Sequence, residues 1–105
     1  MLRIYPVCID MVREVAGLAE SISKFDRDQA RQLRRSCLSV SLNVAEGSGS
    51  RGGTRRARYD DALGSARETV ANLESAEAIG YIGPMDPRLR DKLDHIIGVL
   101  VKIVH

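Results

Sequence analysis

Four stretches of the chain repeat apolar residues at every third or fourth position, and that period dictates the fold. Val7, Met11, Val15, Leu18, Ile22 and Phe25 form the first stripe. Leu33, Cys37, Val40 and Val44 form the second, and Tyr59, Leu63, Ala66, Val70 and Leu73 the third. Leu89, Leu93, Ile96, Leu100 and Ile103 form the fourth. Such stripes lie on one face of an α-helix. Start and stop signals bound helices over about residues 6–25, 28–46, 54–79 and 87–104. Pro6 suits a first helical position, Asp26 or Asp28 can cap the second helix, and Thr54 can cap the third. Gly47 and Gly80 can end helices, and Asp86-Pro87 pairs a cap with Pro at the first position. The short links between long helices favour antiparallel neighbours. Residues 1–105 therefore read as one all-α domain, an antiparallel up-and-down four-helix bundle.

Two helices carry a second apolar stripe: Leu38, Leu42 and Ala45 on the second, and Ile97, Val101 and Val104 on the fourth. A bundle core uses one stripe per helix, so a second stripe needs a cover. Another copy of the chain is the expected one, with Leu38, Leu42, Ile97 and Val101 at the oligomer interface. The alternative is a wide stripe inside a monomer. With one Phe and no Trp, the core has to be aliphatic. Cys8 and Cys37 fall in apolar-periodic stretches and form no C-x-x-C pair, which points to reduced core thiols. The absence of a leader and of any apolar run of membrane length leads to the expectation of a cytoplasmic protein with no membrane partner.

One segment supports a rival fold. Leu38, Val40, Leu42 and Val44 alternate with polar residues, as in a strand, and run into Gly47-Ser48-Gly49-Ser50-Arg51-Gly52, a literal G-x-G-x-x-G. Glu68 follows roughly where a ribose-binding acid sits in a dinucleotide fold. That motif needs a parallel sheet, and no other segment reads as a strand. The Gly-rich stretch reads better as a flexible inter-helix loop, and a nucleotide-binding enzyme is the least favoured of three functional hypotheses.

Catalytic constellations are missing as well. The histidines, His95 and His105, have no metal-ligand partner at helical spacing. Glu74 and Glu77 share a helix face as di-metal bundle ligands do, but the Glu-x-x-His motifs of such sites are missing. No enzyme, cofactor or metal is expected.

Charge distribution is more informative than its total. From Asp26 to Arg58 there are eight Arg against three acids, a net +5, while the remainder carries eight basic residues against eleven acids, a net −3. Arg27, Arg31, Arg34 and Arg35 share a face at the start of the second helix, and Arg51, Arg55, Arg56 and Arg58 cluster at the start of the third. Cations at a helix N-terminus oppose the dipole, so an anion is expected there. A Gly-rich loop entering a helix offers free N–H groups to a phosphate. In an antiparallel pair the two clusters lie about 25 Å apart at 1.5 Å per residue, and could join only along a groove or across subunits. The leading hypothesis is electrostatic binding of RNA or DNA phosphates by these eight Arg, sequence-tolerant and without base stacking for want of exposed aromatics. The alternative is a protein-interaction scaffold, with the Arg residues making only surface ion pairs.

The segment from Gln32 to Gly47, QLRRSCLSVSLNVAEG, resembles the QLRRA…SI..NIAEG signature of the 23S ribosomal RNA intervening sequence proteins, a four-helix bundle family. Gly64, Ser65, Glu68 and Leu73 resemble its next signature, and Gly80-Tyr81-Ile82 resembles its end of the third helix. The resemblance implies a ring-like homo-oligomer, a pentamer, without enzymatic activity. That family is similar to accessory proteins of diversity-generating retroelements, basic barrels that bind nucleic acid and a reverse transcriptase. Asn43, Glu46 and Gly47 match the family's NxAEG core; structural roles at the corner between the second and third helices are expected for them, with Glu46 pairing to an Arg. Gly49 matches the Gly of an EGxGR run, but Ser50 stands where its Arg would be and Arg51 follows. The family's Phe-Pro turn after the first helix is absent here.

Overall fold

Caps and glycines set where the helices begin and end. The computed structural model describes residues 2–105, and these form four α-helices and no strand: α1 Tyr5–Ser23, α2 Arg27–Ser48, α3 Gly52–Ile79 and α4 Pro87–Val104. The Asp26 carboxylate accepts the Gln29 N–H at 2.9 Å and caps α2; the Asp86 carboxylate accepts the Arg88 N–H at 2.8 Å and caps α4. At the end of α3, Gly80 takes φ 87°, so that Gly80 N–H reaches the Glu77 carbonyl and Tyr81 N–H the Ala76 carbonyl. That double closure needs a left-handed residue, which glycine supplies without strain.

The Gly-rich stretch is not the long loop its composition suggests. Helix α2 runs through Gly47 to Ser48, and α3 begins at Gly52, leaving Gly49–Arg51 as the link. The Ser48 and Ser50 hydroxyls donate to the Val44 and Glu46 carbonyls at 3.0 and 2.8 Å, satisfying acceptors at the helix end. Gly52, at φ 57°, reverses the chain. Thr54 therefore lies inside α3 and Arg51 holds the N-cap position, with no side chain capping the first turn.

Each helix packs against its sequence neighbours, and α4 closes back on α1. One ion pair crosses each seam: Glu20–Arg34 for α1–α2, Glu46–Arg58 for α2–α3, Glu74–Arg90 for α3–α4, and Glu14–Lys92 for α1–α4. Exposed pairs of this kind contribute about 0–1 kcal/mol each. The core supplies the stability, through wholly buried Met11, Ile22, Leu33, Leu63, Leu73, Leu93, Ile96 and Leu100 among others.

Three apolar assignments from the periodicity are corrected. Phe25 is 63% exposed, because α1 ends at Ser23 and the chain turns before Phe25 can face the core. On α4, Val104 is buried and Ile103 stays partly exposed, so the core stripe ends with a step of four. Ile97 and Val101 are half-buried and already rest on the core, so α4 carries one broad stripe and not a second, free one. A helix held between two neighbours buries a wide face.

The α2–α3 seam is polar and close. Ser36 and Thr69, both buried, place their hydroxyls 2.9 Å apart; Ser65 donates to Ser39 at 2.8 Å; Gln29 and Asn72 exchange side-chain bonds at 3.1–3.4 Å. Residues early in α2 pair with residues late in α3, so the two run antiparallel. At the turn, Gly47 lies flat against the Tyr59 ring: a Cβ on residue 47 would sit 2.5 Å from Tyr59 Cε1. Tyr59 is itself buried and cannot swing away.

Gly47→Ala should therefore cost about 1–3 kcal/mol by overpacking, read as a fall in Tm. Tyr59→Leu in the same chain should recover part of that loss, a coupling between touching residues that distant pairs lack. Burial raises the Cys8 thiol to about 11 and pushes the Cys37 thiol up as well. Neither should react with a thiol reagent near neutral pH until the protein is denatured, when both should label.

Candidate nucleic-acid interface

The guanidinium groups of the basic middle divide by what already holds them. Arg31 reaches Asp28 at 2.5 Å, Arg34 reaches Glu20 at 3.2 Å, and Arg58 reaches Glu46 at 3.2 Å. Hydrogen bonds from Arg31 and Gln32 hold the Asp28 carboxyl below its ordinary pKa. Arg55 donates to the Ser50 carbonyl at 2.8 Å, across the α2–α3 turn, and Arg56 donates to the Val104 carbonyl at 2.5 Å, tying α3 to the end of α4. Arg27, Arg35 and Arg51 are exposed and make no ion pair among the described residues. An anion could take these three guanidiniums without displacing a protein carboxylate.

The clusters are spread along the bundle, but their inner members meet. Arg35, from α2, and Arg58, from the first turns of α3, line one groove on the α2–α3 face together with Leu38, Leu42, Asn43 and Glu46. Beside it runs a more polar groove of about 390 Å³, lined by Gln32, Arg35, Ser36, Ser39, Ser65 and Glu68. Arg35 borders both. The antiparallel α2–α3 pairing creates this shared frontage, and the sequence spacing of the two clusters hides it.

The corner residues have definite partners. Asn43 donates to the Ser39 carbonyl and hydroxyl, both at 3.0 Å, so its amide is spent inside α2. Glu46 spans the seam to Arg58, and Gly47 admits the Tyr59 ring. Of the four apolar residues assigned to an interface, Leu38 and Leu42 are 47% and 60% exposed on adjacent turns of α2, whereas Ile97 and Val101 are half-buried and pack against the core.

Sequence reasoning missed two features. The hydroxyl ladder between α2 and α3 sits among residues that read individually as neutral serines. The expectation of no exposed aromatic is corrected by Phe25, whose ring stacks on Tyr81 with centroids 5.0 Å apart and planes 6° from parallel. A lone Phe at the foot of an apolar stripe looks like core, and only the early end of α1 takes it out.

Among the described residues no group of three or more His, Cys, Asp or Glu is placed to hold a metal ion, and no helix is long and apolar enough to cross a membrane. No curated protein matches the sequence. A crystal structure from Bacteroides thetaiotaomicron VPI-5482, described as a protein of unknown function from the S23 ribosomal protein family, superposes with a TM-score of 0.86, covering 96% of this chain and 97% of that one at 18% identity. At that identity the likeness speaks for the fold alone. The sequence profile of the 23S rRNA-intervening sequence proteins matches residues 1–102, and with the four-helix arrangement in place the chain belongs to that family.

Proposed function

We propose that this chain is a non-catalytic, self-associating helical protein of the cytoplasm that binds RNA or DNA through phosphate contacts. The observation that carries the reading is the trio Arg27, Arg35 and Arg51, whose guanidiniums are held by neither a carboxylate nor a carbonyl within a segment of net +5. Free guanidiniums contact phosphate without the cost of breaking a protein ion pair, and they release counterions from the nucleic acid when they do so. Arg31, Arg34 and Arg58 add to the potential but are partly neutralised by Asp28, Glu20 and Glu46. The uncapped first turn of α3 adds backbone N–H groups beside Arg51. A reverse transcriptase is a partner by analogy with the accessory proteins that the family resembles.

Self-association is supported by Leu38 and Leu42, two adjacent leucines on one exposed face of α2. A second copy that covers them removes apolar surface from water and repeats the basic segment around the assembly, which raises affinity through multivalency. The ring, and the pentamer in particular, follows from the family resemblance. The rival reading, a scaffold with no nucleic-acid ligand, draws on the same two leucines.

Two measurements test these readings. Titrating labelled duplex against the protein should give log affinity falling with log salt at a slope of about −2.7, which is 0.9 for each of three contacts. Changing Arg27, Arg35 and Arg51 to Gln together should flatten that slope; absence of binding at about 50 mM salt, where phosphate contacts are strong, would leave the scaffold reading. Light scattering should report a multimer, and Leu38→Glu with Leu42→Glu should convert it to the monomer mass while the helical circular dichroism persists.

A further inference from the structure

Phe25 is the largest exposed ring of the chain and is built into a rigid place. Its N–H and that of Asp26 both bond the Ile22 carbonyl, at 2.9 Å each, fixing the turn that presents it. Behind it lies Tyr81, fixed through its own N–H to Ala76 and half-buried against the core. The pair thus forms a two-layer stack with the inner ring anchored and the outer ring 63% exposed. Its purpose is not core filling, because an aromatic left this open gives up most of its burial free energy.

The two cations that flank the ring are unpaired. Lys24 precedes Phe25 and Arg27 follows two residues later; both are exposed, and neither makes an ion pair among the described residues. The carboxylate between them, Asp26, is turned to the Gln29 N–H as the cap of α2. Near the end of α3, the Glu77 carboxylate accepts the Met85 N–H at 2.7 Å. A flat apolar face with an unpaired cation on either side along the chain complements a flat ring linked to phosphates.

We propose that the Phe25–Tyr81 stack is a base-stacking platform for single-stranded nucleic acid, an unpaired base lying on the outer face of Phe25 with its flanking phosphates at Lys24 and Arg27. This rests on the nucleic-acid reading above and adds a preference to it. Stacking needs an unpaired base, so a single strand gains what a duplex cannot. The platform sits where α1 turns into α2 and α3 leaves for α4, at the end of the bundle away from Arg51 and the α2–α3 turn.

Because the chain contains no Trp, Phe25→Trp places a single tryptophan reporter at the platform. Oligoadenylate RNA of about 12 nucleotides, within the span such surfaces cover, and the same strand paired to oligouridylate are the probes. Single strand should quench the tryptophan emission and bind more tightly than duplex. Phe25→Ala should weaken single-strand binding about 5- to 150-fold, the range for one stacked base, and leave duplex binding unchanged. If Phe25→Ala alters folding, seen in its melting curve, the tryptophan signal decides alone. Equal binding of both probes with unquenched emission would overturn the platform and leave electrostatic binding standing. No binding of either probe would overturn both.

Discussion

The close approach of α2 to α3 is the constraint from which the rest of the structure follows. It depends on small residues: Gly47 under the Tyr59 ring, and Ser36, Ser39, Ser65 and Thr69 meeting through hydroxyls along the seam. Small side chains let two helix axes come near each other, and buried hydroxyls then have to find partners or cost about 1–3 kcal/mol each. Each hydroxyl in the seam has one. A slip of one helix along the other would break several pairs together, so the ladder fixes register as well as distance. With register fixed, a link of three residues suffices, and Arg35 and Arg58 come to border one groove.

How much of this was legible depended on whether a residue's role was local. The caps at Asp26 and Asp86-Pro87 and the stop at Gly80 could be read because a cap is decided within four residues. The stripes could be read because period alone sets a helix face. Phe25 could not be placed, since its fate turned on α1 ending two residues before it. Ile97 and Val101 could not either: the width of a buried stripe depends on how far two neighbouring helices wrap the third. Gly47 reads in sequence as a helix stop, yet it lies inside α2 and answers to a ring twelve residues away. The candidate site had the same split. The eight Arg were visible in sequence, but which three were held by neither a carboxylate nor a carbonyl depended largely on contacts between elements.

The ion pairs matter more for the charge that the surface presents than for stability. Glu20, Glu46 and Glu74 each meet an Arg of the neighbouring helix at the surface, where such a pair contributes little. Within the arginine run, the Glu20 and Glu46 pairs engage Arg34 and Arg58, and other contacts hold Arg31, Arg55 and Arg56, which leaves three guanidiniums unheld. Arg27 lies at the α1–α2 end, Arg35 in mid-helix, and Arg51 at the opposite turn. Helix α2, at 22 residues and 1.5 Å each, separates the outer two by about 33 Å, roughly ten nucleotides at 3.4 Å. Cations spread over this length suit a continuous phosphate backbone better than a single phosphate.

The two proposed uses of α2 press against each other, and that competition ranks the charges. Leu38 and Leu42 share their groove with Arg35 and Arg58. A second copy seated on the leucines would bring its own chain over Arg35 and take that guanidinium out of reach of an outside phosphate. Phe25 and Arg27, before and at the start of α2, and Arg51, beyond its end, lie outside that strip in the sequence and at the ends of the bundle. In an assembled form the nucleic acid would therefore meet the ends first, with the aromatic stack at one and Arg51 at the other. In a monomer it could follow the groove through Arg35 instead. The salt slope then depends on assembly: losing Arg35 to the interface removes one of three contacts, so the slope per subunit falls by about 0.9 on association.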